Sequence, residues 1–218
     1  MKYRDAVRWG ELRRLTPLSQ VWGLDRGKPL DRYYIEEFLD RHRADIKGSV
    51  LEMKDPGYTN SCGVDVTRSD VLDIDAANPQ ATIVADLTQG DGIPSDSFDC
   101  FILTQTLPFI FDVHAALSHA CRLLKPGGVL LCTVPASGRI SYEDDGIDGD
   151  YWRFTEASIR RLFAEVFSPE RFEVDVRGNL LSNVAFLYGL APHELRKEEL
   201  DYIDPDFPAI IAVRAVKP

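Results

Sequence analysis

A chain of 218 residues, 44% hydrophobic and 28% charged, has room for one sizeable core with an appendage rather than two full domains. Its formal net charge of -10 counts against nucleic acid as a partner, because such partners are held by a basic face. Cys62, Cys100, Cys121 and Cys132 form no CxxC pair, which argues against a metal or thioredoxin-type site, and no apolar run is long enough for a bilayer span or a signal peptide.

Residues 1 to about 47 read as helical. Asp31 is placed to cap a helix whose inner stripe is Ile35, Phe38, Leu39, His42 and Ile46. Thr16-Pro17 and Arg26-Gly27-Lys28-Pro29 are connectors, and the basic cluster Arg8, Arg13 and Arg14 is a solvated helix face. Strands follow at Val50–Met53, Val71–Asp75, Ala81–Ala85 and Phe98–Leu103. Asp112 caps a helix that reaches Leu124, and Lys125-Pro126-Gly127-Gly128 turns its end into a fifth strand, Val129–Val134. Thr155 caps a further helix with Ile159, Leu162, Phe163 and Val166 inward. Phe172–Val176 is a strand, residues 182–200 are mostly helical, and Ile210–Val216 closes the chain as a strand. Strands alternating with helices predict a mainly parallel sheet covered on both faces.

Two connections are too short for that pattern. Residues 54–70 can hold only a stub of helix. Only Ala76–Gln80 separates the second and third strands, so the third is very short or does not pair as an ordinary parallel neighbour.

The chemistry gathers at strand ends. Glu52 ends the first strand, Asp75 the second and Asp86 the third, at the edge where such sheets bind ligands. Asp75 follows Glu52 by 23 positions, about where a dinucleotide fold places its ribose-binding acid. The intervening loop, Lys54-Asp55-Pro56-Gly57-Tyr58, is a poor phosphate cradle. It has one glycine, Pro56 has no N–H to donate, and Asp55 repels phosphate. A nucleoside cofactor without phosphates, such as S-adenosylmethionine, fits this loop better than NAD does.

The run Ser97-Phe98-Asp99-Cys100-Phe101-Ile102-Leu103-Thr104-Gln105-Thr106-Leu107, then Arg122-Leu123-Leu124-Lys125-Pro126-Gly127-Gly128 and Val134-Pro135, resembles the class I S-adenosylmethionine-dependent methyltransferases of the small-molecule type 11 branch. The likeness covers about Ser49 to Phe167. It implies a Rossmann-like α/β fold: a mainly parallel sheet with an antiparallel last strand, shortened helices around the second and third strands and an N-terminal helical extension. The expected division is a cap over residues 1–47 and a methyltransferase domain over 48–218. The resemblance assigns Glu52, Met53, Lys54 and Gly57 to the methionine tail of the cofactor, Ile74 and Asp75 to the ribose, Asp86 and Leu87 to the adenine, and Thr104 and Gln105 to the methyl-transfer site. Lys54, Asp55 and Pro56 stand where the family carries glycines, and Phe109 stands where many relatives have a histidine.

The acceptor region is expected between Tyr142 and Thr155. It holds five carboxylates and then Tyr151-Trp152-Arg153-Phe154. It resembles the lid of relatives associated with sugar and polysaccharide assembly, and it lacks the ligand periodicity of an EF-hand. Tyr151 and Arg153 are the candidate catalytic residues. The expected activity is methyl transfer, to oxygen rather than nitrogen, on a small hydroxylated acceptor, sugar-like or natural-product-like. No metal, nucleic acid or membrane is expected, the compartment is cytoplasmic, and a homodimer is admitted. A methyltransferase-like domain that only binds a partner protein is the alternative, and an NAD-dependent oxidoreductase is disfavoured by the missing glycines.

Overall fold

The computed structural model describes residues 10–90, 92–141 and 149–218. Arg8 and the acidic stretch 142–148 lie outside the described residues. The strands are β1 (Gly48–Met53), β2 (Val66–Asp73), β3 (Ile83–Val84), β4 (Phe98–Thr104), β5 (Leu124–Pro135), β6 (Phe172–Arg177) and β7 (Ile210–Val216). They form one sheet in the order β3-β2-β1-β4-β5-β7-β6. β1 to β5 pair in parallel, and β7 runs antiparallel to both β5 and β6.

The central strands are apolar throughout because both of their faces are covered. Val50, Cys100, Ile102, Val129 and Leu131 face one side, where α1 (Leu30–Arg41) adds Ile35, Phe38 and Leu39 and α2 (Gly57–Cys62) adds Cys62. Leu51, Phe101, Leu103, Leu130 and Cys132 face the other, against α3 (Val113–Leu123) and α4 (Glu156–Ala164). Successive residues of each strand thus enter opposite cores, the two-residue period of a pleated strand. Burial raises the Cys100 and Cys132 thiols well above their ordinary range, so both behave as small hydrophobes.

Asp112 caps α3 through Ala115 N–H at 2.9 Å, and Thr155 and Ser158 form a capping box on α4. α1 differs from expectation. Its N-cap is Pro29, and Asp31 lies inside the first turn, where its Oδ1 accepts from Arg32 N–H. Among the N-terminal residues, 14–29 are turns and bends rather than helix. Ser19 organises this stretch, its Oγ accepting from the N–H groups of Val21 and Gly23.

Three boundaries also shift. β2 begins five residues before the expected start and ends at Asp73, not Asp75. Its first half is solvated, so it carries no apolar signal. β3 has two residues and pairs Leu72 with Ile83 and Asp73 with Val84 in parallel. The chain therefore drops back only two residues' length, and residues 74–82 manage this without a helix. α3 ends at Leu123 with Leu124 already extended, so Lys125-Pro126-Gly127-Gly128 is a bulged entry into β5 and not a glycine helix cap. Gly128 is required there: a Cβ would lie 2.9 Å from the Lys125 carbonyl oxygen and 3.0 Å from that of Phe98.

Candidate active site

In the order 3-2-1-4-5 the chain switches direction between β1 and β4, and in open α/β sheets ligands bind in the crevice at the carboxyl ends of such a pair. Glu52 is buried at the end of β1. Its two carboxylate oxygens accept from the backbone N–H groups of Tyr58 (2.9 Å) and Thr59 (2.7 Å), which lie in the first turn of α2. Burial raises the Glu52 pKa, and these hydrogen bonds offset only part of that cost.

The loop after β1 is held from three sides. Met53 is half-buried at the strand end, and Lys54 has φ +66°, a left-handed conformation that suits glycine. Asp55 Oδ1 accepts from Gly57 N–H at 2.8 Å, turning the chain into α2. From α1, Arg32 donates to the Tyr58 hydroxyl at 2.5 Å, which brings a guanidinium to this loop. Tyr33 and Tyr34 instead bond Asp201 and the Leu200 carbonyl, on the side of the short helix Lys197–Asp201.

At the end of β2 the buried carboxylate is Asp73, which sequence reasoning missed. Its Oδ1 accepts from Asp75 N–H (3.1 Å) and its Oδ2 from Asn78 Nδ2 (2.7 Å). Asn78 Nδ2 also donates to the Lys54 carbonyl at 2.6 Å, so one amide fastens the β1 loop to the β2 turn. Ile74 is 57% exposed, and Asp75 is exposed with Oδ1 accepting from Ala77 N–H. Asp86 turns the chain after β3, its Oδ1 accepting from Thr88 N–H and Oγ1 at 2.8 Å each, while Leu87 enters the core. Thr104 ends β4. Gln105 has φ +51° and donates through N–H to the Thr133 carbonyl (2.8 Å) and through Nε2 to Thr133 Oγ1 (3.2 Å). The four neighbouring strand ends therefore present Glu52, Asp73 with Asp75, Asp86 and Gln105 along one edge.

Residues 47–132 match the family model described as "Methyltransferase domain". Three solved structures with the same fold come from Archaeoglobus fulgidus, Mesorhizobium loti and Burkholderia thailandensis. The first two are S-adenosylmethionine-dependent methyltransferases. The Archaeoglobus protein is 14% identical, with 88% of this chain and 96% of that one covered and a TM-score of 0.55. The Mesorhizobium protein is 17% identical, with 89% and 100% covered and a TM-score of 0.53. The Burkholderia protein, a 1,6-didemethyltoxoflavin-N1-methyltransferase with its substrate and S-adenosylhomocysteine bound, is 15% identical, with 89% and 80% covered and a TM-score of 0.53. This chain has the class I methyltransferase fold. A search of curated proteins finds no match.

In this methyltransferase fold the segments following β4 and β5 adjoin the switch point. Trp152 Nε1 donates to the Ile110 carbonyl (3.1 Å) and Tyr151 N–H to that of Pro108 (2.8 Å), which seats the Tyr151–Phe154 stretch on the β4 side. Phe111, 69% exposed, packs edge-on to Tyr151 at 5.4 Å and tilted to Trp152 at 5.7 Å. The three rings form an open aromatic ledge. Arg153 is occupied otherwise: its terminal nitrogens donate to both Asp150 oxygens and to the carbonyls of Arg139 and Trp152. Burial raises the Asp150 pKa, but the Arg153 hydrogen bonds and Ser141 N–H outweigh it and hold the carboxyl below its ordinary range.

Proposed function

We propose that this methyltransferase domain, capped by residues 1–47, transfers the methyl group of S-adenosylmethionine to the oxygen of a small hydroxylated acceptor. The observation that carries the reading is the row of acidic strand ends at the β1/β4 switch point, beside a loop unsuited to phosphate. That donor set fits a cationic, phosphate-free nucleoside: carboxylates for an ammonium, a sulfonium and ribose hydroxyls, and the Arg32 guanidinium for a carboxylate.

In this reading Glu52, Met53, Lys54 and Gly57 hold the methionine tail, Ile74 and Asp75 the ribose, Asp86 and Leu87 the adenine, and Thr104 and Gln105 the transfer site. When bound, the cofactor supplies an already electrophilic methyl group, so positioning accounts for much of the rate. Gln105, held in a left-handed conformation by Thr133, and the Phe111–Tyr151–Trp152 ledge orient the acceptor oxygen. Tyr151 touches the acceptor, and Arg153 acts by clamping the ledge through Asp150. An already ionised hydroxyl needs no base, while a neutral one releases its proton to water or to a group on the acceptor loop.

Isothermal titration with S-adenosylhomocysteine tests this. Saturable binding is expected, and a folded protein that shows none at millimolar ligand would sink it. Lys54 and Pro56 in the loop favour one rival, a domain that only binds a partner protein. That rival expects Asp75→Ala to leave function intact.

A further inference from the structure

We propose that Asn78 is the positioning residue that keeps the two halves of the cofactor site in register: the loop after β1, which takes the methionine tail, and the turn after β2, which takes the ribose. The assignment rests on the cofactor reading above and adds a residue outside the contacts named there. Residues 74–82 pass from β2 to β3 without a helix, so side-chain bonds rather than a packed helix must fix the spacing of loop and turn.

The loop needs a hold from outside itself. Lys54 has φ +66°, a conformation disfavoured for any residue with a Cβ. Both of its backbone polar groups are bonded across to the β2 side. Its N–H donates to the Leu72 carbonyl at 3.0 Å, and its carbonyl accepts from Asn78 Nδ2 at 2.6 Å. The same nitrogen also donates to Asp73 Oδ2 at 2.7 Å. Asp73 is buried, and its Oδ1 accepts from Asp75 N–H at 3.1 Å. Asn78 closes the turn from the other side: its own N–H donates to the Asp75 carbonyl (3.2 Å), and its Oδ1 accepts from Gln80 N–H (2.9 Å). Asp75, the ribose acid of this reading, is thus held at both backbone groups by Asp73 and Asn78, and the same Asn78 side chain holds Lys54.

The chemistry required at position 78 is narrow. Two acceptors, a carbonyl and a carboxylate, converge on one nitrogen, so the side chain must bring two hydrogens there. An aspartate would aim a second carboxylate at Asp73, and a serine is too short to span both acceptors. S-adenosylmethionine is in effect two linked ligands, a nucleoside and an amino acid. Linkage strengthens binding only where the two sites sit at the spacing the ligand imposes, and a displacement of about 1 Å removes much of the gain. Asn78 sets that spacing within the protein itself.

Isothermal titration with S-adenosylhomocysteine and, by displacement, with adenosine tests this on the wild type and on Asn78→Ser. Serine keeps an oxygen able to accept from Gln80 N–H and a backbone N–H for the Asp75 carbonyl, so the turn persists while the side-chain donors go. The variant should bind S-adenosylhomocysteine about 10–30-fold more weakly and adenosine within about twofold of the wild type, because only the tail's share is lost. A structural role alone would lower the melting temperature and leave the ratio of the two affinities unchanged. In the wild type by itself, saturating adenosine should slow hydrogen exchange at the Tyr58 and Thr59 amides, which it does not reach, since Asn78 passes the tightening of the turn to the loop. A folded variant that matches the wild type on S-adenosylhomocysteine, or that loses both ligands equally, overturns the assignment. So does adenosine that leaves those two amides unaffected. A wild type that binds neither ligand sinks the cofactor reading itself, and the assignment with it.

Discussion

Asp75→Ala is the substitution that most directly probes the cofactor reading. Asp75 is exposed beyond β2, and its Oδ1 already accepts from Ala77 N–H at 2.8 Å. Its Oδ2 has no hydrogen bond among the described residues, so it can accept a ribose hydroxyl outright while Oδ1 shares. One charge-assisted bond plus part of a second amounts to about 2 kcal/mol, or roughly 30-fold in affinity. The lost turn contact is solvated and costs under about 1 kcal/mol, a melting shift of about 2–4 °C at most. Titration with S-adenosylhomocysteine and a thermal melt read the two effects separately. Asp73→Asn is the comparison. It disturbs the buried acceptor of Asn78 and of Asp75 N–H, and should lower stability by about 1–3 kcal/mol. If Asp75→Ala binds like the wild type while folded Asp73→Asn does not, the ribose acid is Asp73, on β2 two residues before Asp75.

Asp150→Asn should cost about 2–3 kcal/mol at pH 7, because Arg153 loses its paired acceptor in a largely buried site. Since the folded Asp150 pKa is depressed, the wild-type advantage is present above the unfolded value near 3.8 and is lost as pH falls through the lower folded value. Urea melts followed from pH 7 down into acid should show the two proteins converging as pH falls below the unfolded value; a constant difference would contradict the ion pair. Lys54→Gly should raise stability by about 0.5–1 kcal/mol, as relief of the left-handed backbone exceeds glycine's extra chain entropy. A lower melting temperature would show that the Lys54 side chain matters more than its φ. Asp112→Ala should cost about 1 kcal/mol through loss of the α3 cap, seen as a melting drop of about 2–4 °C.

Much of the fold was legible because its signals are strong and local. The continuous apolar runs of β4 and β5 follow from two-sided burial, and Asp112 and Thr155 stand immediately before amphipathic stretches. The solvated half of β2 was not legible, since Thr67, Arg68 and Ser69 are exposed and a strand held there by backbone pairing leaves no apolar trace. Alternation ran on through Ile74 to Asp75, which hid Asp73 as the buried acid. Arg32 stands just before the first strand, where the resemblance to class I methyltransferases places contacts to the cofactor carboxylate. Its approach to Tyr58 is set by how α1 packs on α2, a tertiary fact with no local signature. The twofold role of Asn78 depends likewise on bringing residues 54 and 78 together.

The placement of β7 bears on how this chain comes to be folded. Ile210–Val216 lies inside the sheet, bonded to β5 on one side and β6 on the other. β6 therefore has no neighbour in the parallel part of the sheet until β7 has arrived, although it is made more than thirty residues earlier. On a ribosome the first five strands can assemble while β5 keeps an open, sticky edge, and only the last strand seals it. A chain cut within Ile210–Val216 would lose two strands, not one, and would expose the β5 backbone to pairing with its neighbours.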